Sequence, residues 1–340
     1  MPAGRIVLPV AGIILAHGHI LQYRQGLSGG DSRLREKRRI REPIVAIAQD
    51  PDEGTAITKA LNMLPIDRII FPGDRVVIVP NWVKAKGPET GTVVGPGSLK
   101  VLINLVKARR PGRLVVAAGS GGDPTPTVME QVGYKQVIDE EGVEFVDLNY
   151  GPYRDIELEL HGGKVPRLKV NKLYDETDVL ISFTQVKVHE EATVSLGIKN
   201  IALSWPPAEI HGFPKKDLGI HDDLHGFIAA MAEHFPIDLA ILSTSKGMVG
   251  TGPDRGKPVN ADIIVAGCDP VATDVIGARL IGFRPQAVHY LFTLIERGLG
   301  EGDPNKMSLK GLPLYQAEEA FSRAAYGSRV VIDDGVLVPL

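Results

Sequence analysis

Three runs in this chain are apolar at consecutive positions and rich in β-branched residues: RVVIVP (Arg75–Pro80), RLVVAAG (Arg113–Gly119) and DVLISF (Asp178–Phe183). A strand with one wet face alternates apolar and polar residues, and these do not, so both of their faces are expected to be covered. A parallel sheet with helices on each side meets that condition. The intervals fit it, with helix patterns from Gly54 to Leu64 and from Pro96 to Arg109. IVAIAQ (Ile44–Gln49) and VEFVDL (Val143–Leu148) read as further strands, while IELEL (Ile156–Leu160) alternates and with RLKV (Arg167–Val170) predicts an antiparallel hairpin at an edge. The second half continues with a helix over His221–Phe235, the strands DLAILS and DIIVAG, helices over Asp269–Ile281 and Gln286–Arg297, and VVIDD near Arg329. The expectation is an α/β fold, a mostly parallel sheet with flanking helices. It is divided into an N-terminal extension (1–42), an α/β domain (43–204) and a second α/β lobe (205–340) with a cleft between the two.

At 340 residues the chain is long enough for a large core, and 38 Lys and Arg against 41 Asp and Glu leave a net charge of −3. Nothing overall draws it to a polyanion, so neither a nucleic acid nor a membrane surface is expected as partner. The single cysteine, Cys268, excludes an intramolecular disulfide, a CxxC pair, a four-cysteine zinc site and a self-contained iron–sulfur cluster. It reads as a small buried hydrophobe in a soluble, cytoplasmic protein. Ile6–Ala16 is an apolar run of eleven, short of the roughly 20 residues that span a bilayer. No small-residue cleavage site follows it. The basic run Arg33, Arg35, Lys37, Arg38, Arg39 and Arg41 reads as a solvated linker or frayed helix rather than a nucleic-acid patch.

In open α/β sheets the chemistry sits at the carboxyl ends of the strands. Asn81 follows the second run and can hold a ligand oxygen or merely cap a turn. After the third come Gly119, Ser120, Gly121, Gly122 and Asp123, then Thr125 or Thr127 as a helix cap. Such a loop either cradles a phosphate or is a tight glycine turn, and it matches neither GxGxxG nor the Walker pattern. The strand ending at Phe183 leads into Lys187, His189 and, further on, Lys199 and Asn200, a cationic cluster where a buried strand emerges. His211, His221 and His225 stand downstream, the last two spaced i, i+4 as on one helix face, and are candidate ligands of a single divalent metal. Arg255, in the glycine loop Gly247–Gly256, could clamp a carboxylate or phosphate, or belong to a mobile surface loop. Asp269 before Pro270 is N-cap chemistry, and Asp274 one turn on faces the same strand ends.

From Ile44 to Asp303 the chain resembles the domain-of-unknown-function 362 family, in VIVPNWV, LVVAAGSGG, VLISFTQVKVH with LGIKN, GTGPDRG and IIVAGCDPVATDVIGARLIGF. Many members carry a ferredoxin-like cluster segment, which one cysteine cannot supply, and an acid where Val249 stands here. The same blocks are similar to the N-terminal half of the lactate racemases, whose cofactor is a nickel-pincer nucleotide. His189 and Lys199, ten residues apart, fit the places of that family's histidine and cofactor-tethering lysine, and His211 or His221 that of a nickel ligand. The racemases carry a histidine in the loop where Gly121 and Gly122 stand, so the resemblance does not extend to a second base on the opposite face of the substrate.

Two readings follow. One is an enzyme on a small anionic substrate, a hydroxy or carboxylic acid or a phosphorylated compound. In it His189 is the acid/base, Lys187 and Lys199 are the anion clamp or cofactor tether, and Asn200, Asn81, the glycine loop, Arg255 and Asp274 complete the site. The other is a non-catalytic protein binding a metal or a phosphorylated ligand in the same cleft. A homodimer is compatible with either.

Overall fold

In the computed structural model the apolar runs become adjacent strands of one ten-stranded sheet. The structure describes residues 38–340 except 161–162, 217–218, 329, 334–335 and 340, so the apolar run Ile6–Ala16 and the basic residues up to Lys37 lie outside the described residues. In chain order the strands are β1 (Ile44–Gln49), β2 (Arg75–Pro80), β3 (Arg113–Ala118), β4 (Glu144–Asp147), β5 (Tyr153–Leu160), β6 (Gly163–Asn171), β7 (Val179–His189), β8 (Thr193–Ser195), β9 (Leu239–Val249), β10 (Lys257–Val259), β11 (Ile263–Gly267), β12 (Ser308–Gly311), β13 (Val330–Asp333) and β14 (Val336–Pro339). The helices are α1 (Glu53–Asn62), α2 (Pro96–Lys107), α3 (Thr125–Val132), α4 (Tyr134–Glu141), α5 (Gly197–Ser204), α6 (Ala208–His211), α7 (Leu224–His234), α8 (Pro270–Ile281), α9 (His289–Glu296) and α10 (Leu314–Tyr326).

The main path of the sheet runs β12-β1-β11-β9-β7-β2-β3-β4. β9, β7, β2, β3 and β4 are mutually parallel, β12 is parallel to β1, and β11 lies antiparallel between β1 and β9. Along this path β11 is therefore the one strand that runs against the rest, and the other carboxyl ends share one edge. From β2 the chain steps outward to β3 and β4, then returns to place β7 on the opposite side of β2. The carboxyl ends of β2 and β7 thus flank a topological switch point, where such sheets leave a crevice.

As the non-alternating runs predict, both faces are covered. Val76, Ile78, Ile181 and Phe183 pack with α1 and α2 residues such as Ile57 and Leu102, and Val77, Val79 and Leu180 pack with Ile201, Phe227 and Ile276 of α5, α7 and α8. Strands on both sides of residue 204 hydrogen-bond in this one sheet. The predicted hairpin forms as β5–β6, but as a separate two-stranded sheet rather than at an edge. Gly247 to Val249, read as loop, extend β9 and pair with β10. Arg38 and Arg39 are not a solvated run: Arg38 pairs with Asp269 at 2.8 Å, and the Arg39 guanidinium grips the Asp74 carboxylate.

Candidate functional site

The crevice between β2 and β7 opens into a cavity of about 270 Å³ whose lining includes Asn81, Lys84, Lys187, His189, Glu191, Lys199, Asn200, Lys215, Lys216, His221 and Asp254. Its floor is built across the switch point. Lys187, fully buried on β7, donates to Asn81 Oδ1 (2.8 Å) and to the Thr92 carbonyl (2.9 Å). An ammonium has three N–H groups, so one is left without an acceptor among the described residues. Asn200 Nδ2 donates to the Val79 carbonyl at 2.9 Å and to Ser182 Oγ at 3.1 Å, stitching α5 onto β2 and β7. Burial, reinforced by the nearby Lys199 charge, brings the Lys187 ammonium down to about 7.

Lys199 stands in the first turn of α5, and Asp274 of α8 determines where that turn sits. Its carboxylate accepts the N–H groups of Gly197 (2.9 Å) and Ile198 (3.0 Å), two donors that a helix start leaves unpaired. Burial pushes the Asp274 carboxyl up to about 8 against the pull of those N–H groups. Asp274 is thus a support for α5 and does not line the cavity. Lys199 does line it, is 9% exposed, and has no hydrogen-bond or ion-pair partner among the described residues. Burial lowers its ammonium to about 8, with Glu191 pulling the other way.

His189 closes β7. Its Nδ1 accepts the backbone N–H groups of Glu191 and Ala192, each at 3.1 Å, and the residue lines the cavity. Burial foremost, then the charges of Lys199 and Lys187, bring its imidazole down to about 2, which keeps it neutral. At the rim, Glu191 accepts from Lys216 (2.9 Å) and sits 2.5 Å from His221 Nδ1, while Asp254 accepts from Lys84 at 2.5 Å. These rim carboxylates are spent on rim cations, and none of them contacts Lys187 or Lys199.

The glycine loop is brought to the cavity, with three of its donors engaged by the protein. The N–H of Gly122 donates to the Val83 carbonyl (2.8 Å), that of Ser120 to Thr125 Oγ1 (3.3 Å) and that of Asp123 to Ser120 Oγ (3.4 Å), so these three N–H groups do not serve a ligand. Thr125 does not cap α3: Pro124 holds that place without a side-chain bond, and the Thr125 hydroxyl donates to Asp147 instead. Gly119 is required for close approach, since a Cβ there would lie 2.3 Å from the Ser204 carbonyl oxygen. Lys215 holds that approach shut, donating to the carbonyls of Gly119 (2.8 Å), Leu203 (2.9 Å) and Ser204 (3.3 Å).

Other expectations are corrected by position. Arg255 is two-thirds exposed and pairs with Glu190 at 3.1 Å, outside the cavity lining. α7 begins only at Leu224 with Asp223 as its N-cap, so His221 lies in the preceding turn and shares no helix face with His225. His225 accepts the Tyr290 N–H (3.2 Å) beside His289, and His211 is buried on α6. Among the described residues no three His, Cys, Asp or Glu side chains are grouped to hold a metal ion. Lys84, Lys215, Lys216, Glu191 and Asp254 were not singled out in the sequence, where they stand as ordinary charges in loops. The Lys84-Ala85-Lys86 spacing after a strand end and the adjacent Lys215 and Lys216 were the available signals.

Fold and cavity together define an α/β protein with a lysine-lined crevice at the switch point of its sheet. Residues 76–279 match the family described as "Domain of unknown function (DUF362)", and the chain belongs to that family. Among characterised sequences it is similar to the thylakoid-associated protein sll1697 of Synechocystis sp., 22% identical over 220 residues, 64% of this chain and 66% of that protein. Two solved structures are similar to parts of this chain, the first of them a lactate racemase. The apoprotein from Thermoanaerobacterium thermosaccharolyticum aligns with a TM-score of 0.39 and 16% identity over 70% of this chain and 57% of its own. A Thermotoga maritima protein aligns at 0.42 and 14% over 67% and 58%. The chain thus spans less than two thirds of the length of each of these proteins. Among the described residues no helix is long and apolar enough to cross a membrane.

Proposed function

We propose that the crevice binds a small anion, a hydroxy or carboxylic acid or a phosphorylated compound, and acts on it as an enzyme. The observation that carries this reading is Lys199: a buried ammonium, unpartnered among the described residues, beside the second buried ammonium of Lys187. A charge held out of water without a counter-ion costs several kcal/mol, and an anionic ligand is what would offset that cost here. The cavity volume of about 270 Å³ lies near the lower end of ordinary small-molecule sites, roughly 300–1,000 Å³, so a compact ligand is favoured. Because the Lys199 ammonium lies at about 8 without a ligand and a bound anion holds it protonated, Lys199 is placed to donate a proton to that ligand near physiological pH, the chemical reason for preferring an enzyme to a binding module.

The nickel-pincer nucleotide suggested by the racemase resemblance fits these residues only in part. Lys199 could serve as a tether, but the histidines assigned to the metal are dispersed and His221 is taken up by Glu191.

The test is titration calorimetry with phosphate, lactate and a 2-oxo acid at pH 8.5, in buffers of different ionisation enthalpy. Binding is expected to take up protons, since an anion beside Lys199 raises its ammonium back toward the ordinary range. Lys199→Met should weaken binding at least about tenfold, some 1.4 kcal/mol. Absence of binding by any of these anions, or equal affinity in the variant, would overturn the reading. Binding of one of these anions without any turnover of it would favour the non-catalytic alternative.

A further inference from the structure

His189 is the residue to which sequence reasoning gives the proton-transfer role, and its surroundings point elsewhere. A neutral imidazole has one N–H and one lone pair, and which nitrogen carries the proton is set by what the other one meets. Here Nδ1 meets two donors, the N–H groups of Glu191 and Ala192, both at 3.1 Å. Those amides belong to the turn between β7 and β8, whose register is held by the pairs Lys187↔Ser195, Val188↔Val194 and His189↔Thr193. The ring is therefore keyed by backbone that the sheet immobilises. Its Nδ1 must be the acceptor, which places the proton on Nε2. Nε2 has no partner among the described residues, and the ring borders the cavity.

We propose that His189 is a fixed hydrogen-bond donor to the ligand through Nε2–H, and is neither a proton acceptor nor a metal ligand. Gaining a second proton would set an Nδ1–H against two N–H groups and forfeit both bonds. Metal ligation through Nε2 would need the proton moved to Nδ1, with the same conflict. The charged and titratable groups around the ring agree. Lys187 on the same strand, Lys199 on α5, and Lys216 and His221 from the segment before α7 all disfavour an imidazolium. In the turn itself, the Glu191 carboxylate is engaged by Lys216 and His221, and Glu190 by Arg255. The ligand must accordingly present an acceptor oxygen to His189, as a carboxylate, phosphate or carbonyl does. This rests on the anion-cleft reading for the identity of the ligand, but the tautomer stands without any ligand.

The experiment is two-fold. Nitrogen-15 histidine spectra of the wild-type chain, with His189→Gln used for assignment, should show the Nε2–H tautomer with no titration between pH 5 and pH 9. An Nδ1–H tautomer, or a midpoint inside that range, overturns the proposal whether or not an anion binds. Phosphate and lactate titrations then compare variants. His189→Gln, which still offers an N–H at the end of its side chain, should stay within about threefold of wild type, whereas His189→Ala should lose about tenfold. Equal loss in both variants would overturn the donor role even if the tautomer is as expected. Failure of every anion to bind wild type would overturn the cleft reading and the ligand-donor role with it, leaving the tautomer result intact.

Discussion

Three lysines of this site are buried, and each is held differently. Lys215 donates to three carbonyls, Lys187 to two acceptors, and Lys199 to none among the described residues. Lys215 is thus a clasp between the Gly119 loop and the end of α5, Lys187 keeps one N–H unengaged among the described residues, and Lys199 is the lysine for which a ligand is proposed. Burial lowers their ammonium groups to about 7, 7 and 8 for Lys187, Lys215 and Lys199. In the unfolded chain these groups return to about 10.4. Between those limits the unfolded state binds more protons than the folded one, so stability should rise as pH increases from about 7 to about 10 and carry the full penalty below 7. Urea midpoints across that range check the sign. Lys199→Met should make the ligand-free protein more stable at pH 6, on the order of 1–3 kcal/mol, with the gain shrinking toward pH 10. A variant less stable at pH 6 would show that Lys199 is held by the protein after all. Lys187, His189, Lys199 and Asn81 were legible in the sequence because each stands at or just beyond the exit of a buried strand, or in the helix after it. Lys215 was not, because only the folded chain brings it to Gly119, 96 residues away.

At the scale of the element, what matters is how a short helix is aimed. α5 has eight residues and no side-chain N-cap of its own, with Leu196 at that place. Asp274, 77 residues on, supplies the cap from α8. Asp274→Asn would keep one acceptor oxygen and turn an N–H₂ toward the second amide, so about 1–3 kcal/mol of stability should be lost. Anion affinity should fall with it, because Lys199 rides on that turn. Thermal unfolding and phosphate titration of the variant read the two effects separately, and a stable variant with altered affinity would contradict the account. The β9–β10 hairpin shows the converse case of an element hidden from the sequence. Glycines and Pro253 make Gly247–Gly256 look like a surface loop, yet Gly252 passes so close to β7 that a Cβ would lie 1.8 Å from the Val188 carbonyl oxygen. There the glycine marks contact rather than mobility.

For the whole molecule, the sheet that the two halves share predicts one unfolding unit. Trp82 and Trp205 are both buried, in the clusters on opposite faces of that sheet. In Trp82→Phe and Trp205→Phe, the remaining tryptophan's fluorescence and the far-ultraviolet circular dichroism should give coincident urea transitions. Separate midpoints in either variant would instead indicate two lobes that fold independently. Strand and helix type could be read along the chain because hydrophobic periodicity is a local property: runs without alternation must be covered on both faces whatever covers them. The α/β class, the placing of a site at strand ends and the family all came from such local signals. Which strand lies beside which, and hence that β2 and β7 flank the crevice, depends on how the helices and the hairpin return across the sheet. Proton positions and pairings at the site depend in turn on that packing. The sequence shows a histidine between lysines, and only the turn that follows it in space determines which of its nitrogens the backbone engages.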